Sequence, residues 1–164
     1  MGLDMFLYGV YRDRKEDIGE PSSGQWEECC YWRKSNQIHK WFSTKFIKEQ
    51  DPWGLYEVEE KDIQGLLLIC KLLKKIKENP DDEFSWVDTK FFDLLAKDPE
   101  EKGGWDIDCA DTIAYSILPP DNLGCFFGSG IVDEWYWQDI DDTIDQLTNA
   151  LSQGYQRYYY RASW

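Results

Sequence analysis

The sequence predicts an α+β fold, or an α/β fold, in a single domain 1–164 with a small sheet, two long helices and several short ones. Three observations predict it. The chain has 164 residues, which is about the length of one domain. Hydrophobic residues make up 42% of it and aromatic residues 16%, enough to build a packed core. Segments with strand composition alternate along the chain with two strongly helical segments.

The N-terminal part is predicted to contain three short strands or turns and one helix. Leu3–Arg12 is rich in aromatic and branched side chains, which favour a strand. Trp26–Cys30 is either a short strand or an entry turn. From Tyr31 apolar side chains recur at helical spacing, so a helix is predicted from there to about Gln50. Leu55–Val58 is predicted to form another short strand.

The remaining elements follow the same alternation. Glu59–Glu78 has the clearest helical periodicity, and the lysines near its end suit the negative pole of the helix dipole. Residues 79–108 form an acidic connector, with a short helix predicted at Asp88–Ala96. The later predicted elements are a short helix at Cys109–Leu118, a strand at Gly124–Gly128, a long helix at Asp133–Ser152 and a strand at Tyr155–Trp164.

The charge of the chain is strongly negative and unevenly distributed. Lys and Arg number 18 and Asp and Glu 32, a formal net charge of -14. Residues 1–48 carry 8 basic and 7 acidic side chains, whereas residues 79–146 carry 3 and 18. Because the field of such a chain repels a polyanion, we do not expect direct binding to nucleic acid.

The cysteines and the hydropathy predict a cytoplasmic protein. Five cysteines, an odd number with no C-x-x-C pair, predict reduced thiols rather than a disulfide framework or a zinc site: Cys29, Cys30, Cys70, Cys109 and Cys125. No apolar run approaches the roughly 18 residues of a membrane span, and the first residues lack the features of a secretory signal. We therefore expect no membrane partner, no metal and no cofactor.

Recognisable catalytic motifs are missing from the sequence. The chain has one histidine, His39, and it lacks a phosphate-binding P-loop, a G-x-S-x-G elbow and an H-E-x-x-H motif. The sequence therefore predicts a binding protein rather than an enzyme.

The segment Tyr31–Phe42 combines aromatic, basic and amide side chains. If all of it is helical, one side is lined by Trp32, Asn36, His39 and Ser43, and another by Arg33, Gln37 and Lys40. An indole stacks on a base, a guanidinium contacts phosphate, and amide or imidazole groups bond a base or ribose, so the pattern suits a nucleotide pocket. The alternative is an amphipathic helix with tryptophans in the core and His39 as a hydrogen-bonded border residue.

The C-terminal segment and the last long helix carry further candidate surfaces. In a strand, Tyr155, Arg157, Tyr159 and Arg161 share one face and Tyr158 and Tyr160 the other, which is typical either of an interface or of a sheet strand covered on both sides. Around 133–142, acids flank large aromatic residues. Such a surface imitates nucleic acid towards a basic protein, or is the solvated side of a helix whose other side is core.

Three pieces of the sequence resemble small proteins that many bacteriophages encode. They are Met1-Gly2-Leu3-Asp4-Met5, the run Tyr31–Phe42, and Phe126-Phe127-Gly128-Ser129 followed by Asp133-Glu134. The resemblance covers most of the chain, although Asp81–Gly104 has no counterpart. It implies a phage or prophage origin and a role in the cytoplasm of the infected bacterial cell, and it implies no known reaction.

Because small phage proteins without an enzymatic signature often act against host defence, two functions follow as expectations. The first is a sponge, expected to act as a homo-oligomer, that sequesters a cyclic or related signalling nucleotide without cleaving it; its residues are Trp32, Arg33, Asn36, His39, Lys40, Phe127 and Ser129. The second is an acidic inhibitor that blocks a host defence nuclease or CRISPR effector through Asp133, Glu134, Asp139, Asp141 and Asp142. We favour the sponge, because its residues cluster in the segment most typical of the resemblance.

Overall fold

The computed structural model describes residues 2–11, 26–47, 54–79, 110–121 and 127–164. Eight elements follow one another along these residues: β1 (Asp4–Val10), β2 (Glu27–Arg33), α1 (Asn36–Phe46), β3 (Tyr56–Val58), α2 (Glu60–Glu78), α3 (Ala110–Ile117), α4 (Glu134–Ser152) and β4 (Arg157–Ser163). The predicted helix at Asp88–Ala96 lies outside the described residues, as does most of the predicted strand at Gly124–Gly128.

The four strands form one antiparallel sheet in the order β2-β1-β4-β3. The first and last strands of the chain lie side by side in its middle, with Asp4 opposite Ser163 and Val10 opposite Arg157. Because every described strand pair is antiparallel and the helices pack beside the sheet, the α+β prediction is confirmed, and the parallel sheet of an α/β fold is not what forms.

One face of the sheet, called here the inner face, is buried under the helices. Met5 and Leu7 alternate inward along β1, and the β4 side chains opposite them are Ala162 and Tyr160. Phe42 of α1 stacks on Tyr160 with ring centroids 4.1 Å apart. The apolar sides of α2 and α4 complete this core, chiefly through Ile63, Leu66, Cys70, Leu73, Ile140 and Leu147. Each leucine or isoleucine side chain among them contributes about 1.5–3 kcal/mol to the free energy of folding on burial.

Several chain reversals depend on capping or on glycine. Asp133 caps α4, since its carboxylate accepts a hydrogen bond of 2.9 Å from the Tyr136 N–H. Gly128 has a φ of 114°, and a Cβ there would lie 2.1 Å from the carbonyl oxygen of Lys34. Only glycine allows that approach without displacing backbone, so this turn is held against the start of α1.

The structure corrects the predicted start of the first helix. Tyr31, Trp32 and Arg33 continue β2 rather than opening a helix, and α1 begins at Asn36. Pairing with β1 decides this, because Trp32 lies opposite Met5 and fills the core through the two-residue alternation of a strand. α1 ends at Phe46, four residues before the predicted end.

None of the described helices is long and apolar enough to cross a membrane. Among the described residues there is likewise no group of three or more His, Cys, Asp or Glu side chains placed to hold a metal ion. Cys29, Cys30 and Cys70 are free thiols, and the other two cysteines lie outside the described residues.

Candidate functional site

The predicted ligand-binding residues do not share one helical surface. Trp32 and Arg33 lie on β2, where successive side chains point to opposite faces of the sheet. Asn36, His39 and Lys40 lie on α1. The predicted arrangement on a single helix is therefore wrong, and it fails because the strand extends three residues further than its periodicity indicated.

Trp32 belongs to the core. It is 3% exposed, and its indole Nε1 donates a hydrogen bond of 2.9 Å to the hydroxyl of Thr143 on α4. That hydroxyl in turn donates to the carbonyl of Asp139 at 2.6 Å. Of the two alternatives that the sequence left open for this tryptophan, the structure shows the core one. Trp41 is half-buried against the core, with the amine of Lys45 4.4 Å from the centre of its ring.

Asn36 and Ser129, both predicted for the ligand site, do meet, but through a bond that holds three segments together. The Asn36 side-chain amide donates to the carbonyl of Ser129 at 2.8 Å, and its oxygen accepts from the Asp121 N–H at 3.0 Å. Asn36 is 1% exposed, so its polar groups serve the fold. Phe127, from the same turn, lies half-buried with its ring 6.2 Å from that of Trp164.

His39 is the hydrogen-bonded residue of the second alternative. Its Nδ1 is hydrogen-bonded to the Tyr160 hydroxyl at 2.8 Å, and its ring meets Trp164 edge to face at 5.6 Å. Burial lowers the pKa of His39, and the negative charge of Asp121 opposes that shift. The imidazole is therefore neutral at physiological pH, and Lys40 beside it is partly exposed.

The five acids predicted for the inhibitor surface have mixed surroundings. Asp133 caps α4, Asp141 forms an ion pair of 2.7 Å with Lys74, and Asp139 accepts a hydrogen bond of 2.9 Å from Gln37. Burial raises the pKa of Asp139. Glu134 and Asp142 are exposed. Asp142 nevertheless accepts a hydrogen bond of 2.9 Å from Gln138, so four of the five have partners within the protein, as expected for one helix with a core side and a solvated side.

No ligand site was predicted from the sequence on the opposite face of the sheet, which is called here the outer face. α1 and α4 pack against the inner face, and α2 and α3 pack on α4 and on one another, so no described helix lies on the outer face. The register places on it the side chains of Asp4, Phe6, Tyr8, Glu28, Tyr31, Arg33, Glu57, Arg157, Tyr159 and Arg161. The two-residue alternation of β1 alone could have predicted that Phe6 and Tyr8 share a face. Their neighbours on the other strands follow only from the register of β1 with β2 and β4.

Phe6, Tyr8 and Tyr31 form the aromatic platform of this face. The Phe6 ring lies 6.0 Å from Tyr8, nearly parallel to it, and 5.3 Å from Tyr31. Tyr31 is 41% exposed, and its hydroxyl donates to Asp4 at 2.6 Å. The side chain of Arg33 is 66% exposed, with its Nε 4.0 Å from the same carboxylate. Ring faces and a guanidinium are thus both accessible at this end of the sheet.

A row of three alternating β4 side chains, Arg157, Tyr159 and Arg161, borders the platform; it is called here the β4 row. The prediction that these three share a face, with Tyr158 and Tyr160 on the other, is confirmed. Tyr155 instead precedes the strand. Tyr159 is 6% exposed rather than open, because the ring of Trp26 packs on it at 4.4 Å.

The hydroxyl of Tyr159 is buried without a hydrogen-bond partner among the described residues. The Arg157 guanidinium reaches towards it, and its hydrogen-bonding interaction with this hydroxyl, ahead of the negative charge of Glu57, raises the pKa of Arg157. The guanidinium and the hydroxyl nevertheless do not meet with hydrogen-bond geometry. Buried polar groups are ordinarily paired, so this hydroxyl marks a place where a partner is expected.

No protein-family model, curated protein or solved structure matches this chain.

Proposed function

We propose that the protein binds a signalling nucleotide on the outer face of its sheet and sequesters it without cleaving it. The aromatic platform with arginines beside it carries the proposal. Base stacking on an aromatic side chain contributes about 1–3 kcal/mol per base and tolerates different bases. Arginine presents a planar set of donors that matches a phosphate group. The platform and Arg33 offer both contacts on neighbouring strands.

The charge of the outer face supports a small ligand over a nucleic acid. The face carries three carboxylates and three arginines, a balance of zero: Asp4, Glu28 and Glu57 against Arg33, Arg157 and Arg161. The whole chain has a net charge of -14. A long polyanion would meet that repulsion along its length, whereas a nucleotide with one to three phosphates occupies the neutral face alone.

The proposal keeps one residue of the predicted site and replaces others. Arg33 remains, since its side chain extends from the outer face. Trp32, Asn36 and His39 give way to Phe6, Tyr8 and Tyr31, because the former are buried and bonded within the protein. The phage resemblance supplies the biological role, which is to keep an immune signal from its receptor in the infected cell.

Native mass spectrometry of the purified protein with cyclic di- and trinucleotides and ADP-ribose tests the proposal. We expect one nucleotide to be retained at a fixed stoichiometry and to be recovered with unchanged mass after denaturation. The same spectrum reports whether the protein is an oligomer. Spectra without ligand across the whole panel, or recovery of a cleaved nucleotide, would contradict the proposal.

Matched variants locate the binding. Phe6→Leu and Tyr31→Leu keep apolar strand residues but remove the stacking rings, and each is expected to weaken binding about tenfold. Tyr115→Leu is the control, because Tyr115 is a similarly exposed tyrosine on α3, away from the sheet. If all three variants bind as the unmodified protein does, the ligand does not lie on the platform.

A further inference from the structure

We propose that the β4 row is the phosphate subsite of the outer face, with the Tyr159 hydroxyl donating a hydrogen bond to a phosphate oxygen. The inference rests on the proposed function and adds a phosphate contact on β4 to the one that Arg33 offers on β2. It assigns a specificity-determining role to Tyr159, for which the sequence left open an interface or a sheet strand covered on both sides.

The strand geometry brings the three side chains of the row together. Arg157, Tyr159 and Arg161 alternate along one strand, so roughly 7 Å separates each from the next along the outer face. β4 lies beside β1, where Phe6 faces Arg161 and Tyr8 faces Tyr159 in the register. The row is therefore one strand away from a base on the platform, within reach of its sugar and phosphate.

The unpaired hydroxyl is the observation that points to a ligand. A tyrosine hydroxyl buried without a partner destabilises the free protein, whereas an oxyanion that accepts its hydrogen bond removes that cost. The indole of Trp26 packs on the Tyr159 ring, and the long side chain of Arg157 reaches towards its hydroxyl. Tyr8 and Glu57 lie opposite Tyr159 on the neighbouring strands. Arg157 is 55% exposed and has several rotatable bonds, so it can turn aside and admit an oxygen to the hydroxyl.

Glu57 competes with the phosphate in this arrangement. It lies opposite Tyr159 on β3, with its Oε1 4.0 Å from the Nε of Arg157. In the free protein this carboxylate draws the guanidinium towards β3. A phosphate bound on the row releases Arg157 from Glu57. The phosphate then accepts hydrogen bonds from both Arg157 and Tyr159. Glu28, the other carboxylate near Tyr8, lies on the far side of β1.

Tyr159→Phe tests the subsite, because it removes the hydroxyl and nothing else. Affinities are measured for cyclic di-AMP and ADP-ribose against adenosine, and for cyclic di-GMP against guanosine. We expect the variant to lose about tenfold in affinity for the phosphorylated ligand and little for the nucleoside. Its unfolding midpoint without ligand should stay equal or rise, since no bond is lost. Glu57→Gln should bind the phosphorylated ligand more tightly by a few-fold.

Tyr160→Phe is the matched control, since its hydroxyl is bonded to His39 on the inner face. We expect it to lower the unfolding midpoint and to leave the preference for phosphorylated ligands unchanged. The subsite is refuted if Tyr159→Phe destabilises the free protein as much as Tyr160→Phe, or if the preference survives the loss of the hydroxyl. If Phe6→Leu weakens binding while Tyr159→Phe does not, the result supports the proposed function and refutes the phosphate subsite. Failure of every nucleotide and nucleoside to bind refutes both.

Discussion

Tyr159 and Tyr160 are neighbours in β4, yet the Tyr160 hydroxyl is bonded to His39 at 2.8 Å on the inner face and the Tyr159 hydroxyl has no described partner on the outer face. The alternation of a strand separates the two environments. On the inner face the polar groups of the predicted site stabilise the fold. On the outer face rings and guanidinium groups face away from the described helices, which is why we place the ligand there.

Trp32→Phe tests whether this tryptophan is structural. The change removes the indole donor to Thr143 and leaves a smaller ring in a packed site. We expect the free energy of unfolding to fall by about 1–3 kcal/mol in urea denaturation, with the nucleotide affinity of the folded protein unchanged. If the Trp32→Phe protein folds but no longer binds nucleotide, Trp32 belongs to the ligand site and not only to the core.

Asn36→Ala tests the connection between α1 and the two turns that it joins. The variant loses the donor to Ser129 and the acceptor for the Asp121 N–H, so we expect a loss of about 1–3 kcal/mol in the free energy of unfolding. Asn36→Asp keeps an acceptor for Asp121 and should retain part of that stability. Equal stability of all three proteins in urea would show that these bonds contribute little.

Gly128→Ala tests the close approach of the 127–131 turn to β2. With a φ of 114° and the Lys34 carbonyl 2.1 Å from the added Cβ, the variant should lose about 1–3 kcal/mol or more. Gly65→Ala is the control, because it lies in α2 with no atom within 4 Å of the added Cβ, and should gain about 0.5–1 kcal/mol. Thermal unfolding of both variants measures the difference. We expect the two variants to change the free energy of unfolding in opposite directions. A stabilised Gly128→Ala protein would contradict the turn geometry.

His39 should make stability depend on pH. Burial lowers its pKa in the folded state, so between the folded value and the ordinary 6.5 the unfolded chain binds more protons. Its contribution is complete above about pH 6.5 and is lost as pH falls through the folded value. Urea midpoints from about pH 7.5 to about pH 5 should therefore fall less steeply for His39→Gln than for the unmodified protein. Asp139, whose pKa is raised, changes stability with pH in the opposite direction, but it does so equally in both proteins. Identical slopes of the urea midpoint against pH in the two proteins would contradict the burial of a neutral imidazole.

The elements with long internal periodicity could be predicted from the sequence. The predicted Glu59–Glu78 differs by one residue from α2, and Asp133–Ser152 differs by one from α4. The strand character of Tyr31 to Arg33 could not be predicted, because these residues also fit the helical spacing that continues through Ile38. Only their pairing with β1 separates the two alternatives, and that contact joins residues far apart in the chain.

The candidate site was missed for the same reason. Phe6 and Tyr31 become neighbours through the register of β1 with β2, and Tyr8 and Tyr159 through that of β1 with β4. Each strand taken alone shows one or two aromatic residues, which is ordinary strand composition. The platform forms when β1 pairs with β2, and the β4 row lies beside it because the first and last strands of the chain also pair.

The position of the ligand is the central claim, and nuclear magnetic resonance of the aromatic side chains tests it most directly. Ring signals are followed while the nucleotide retained in the mass spectra is titrated into the protein. The account predicts that the signals of Phe6, Tyr8 and Tyr31 shift and saturate together, while those of Trp32 and His39 stay in place. Shifts confined to Trp32 and His39 would place the ligand on the inner face, at the site predicted from the sequence, and would contradict the account.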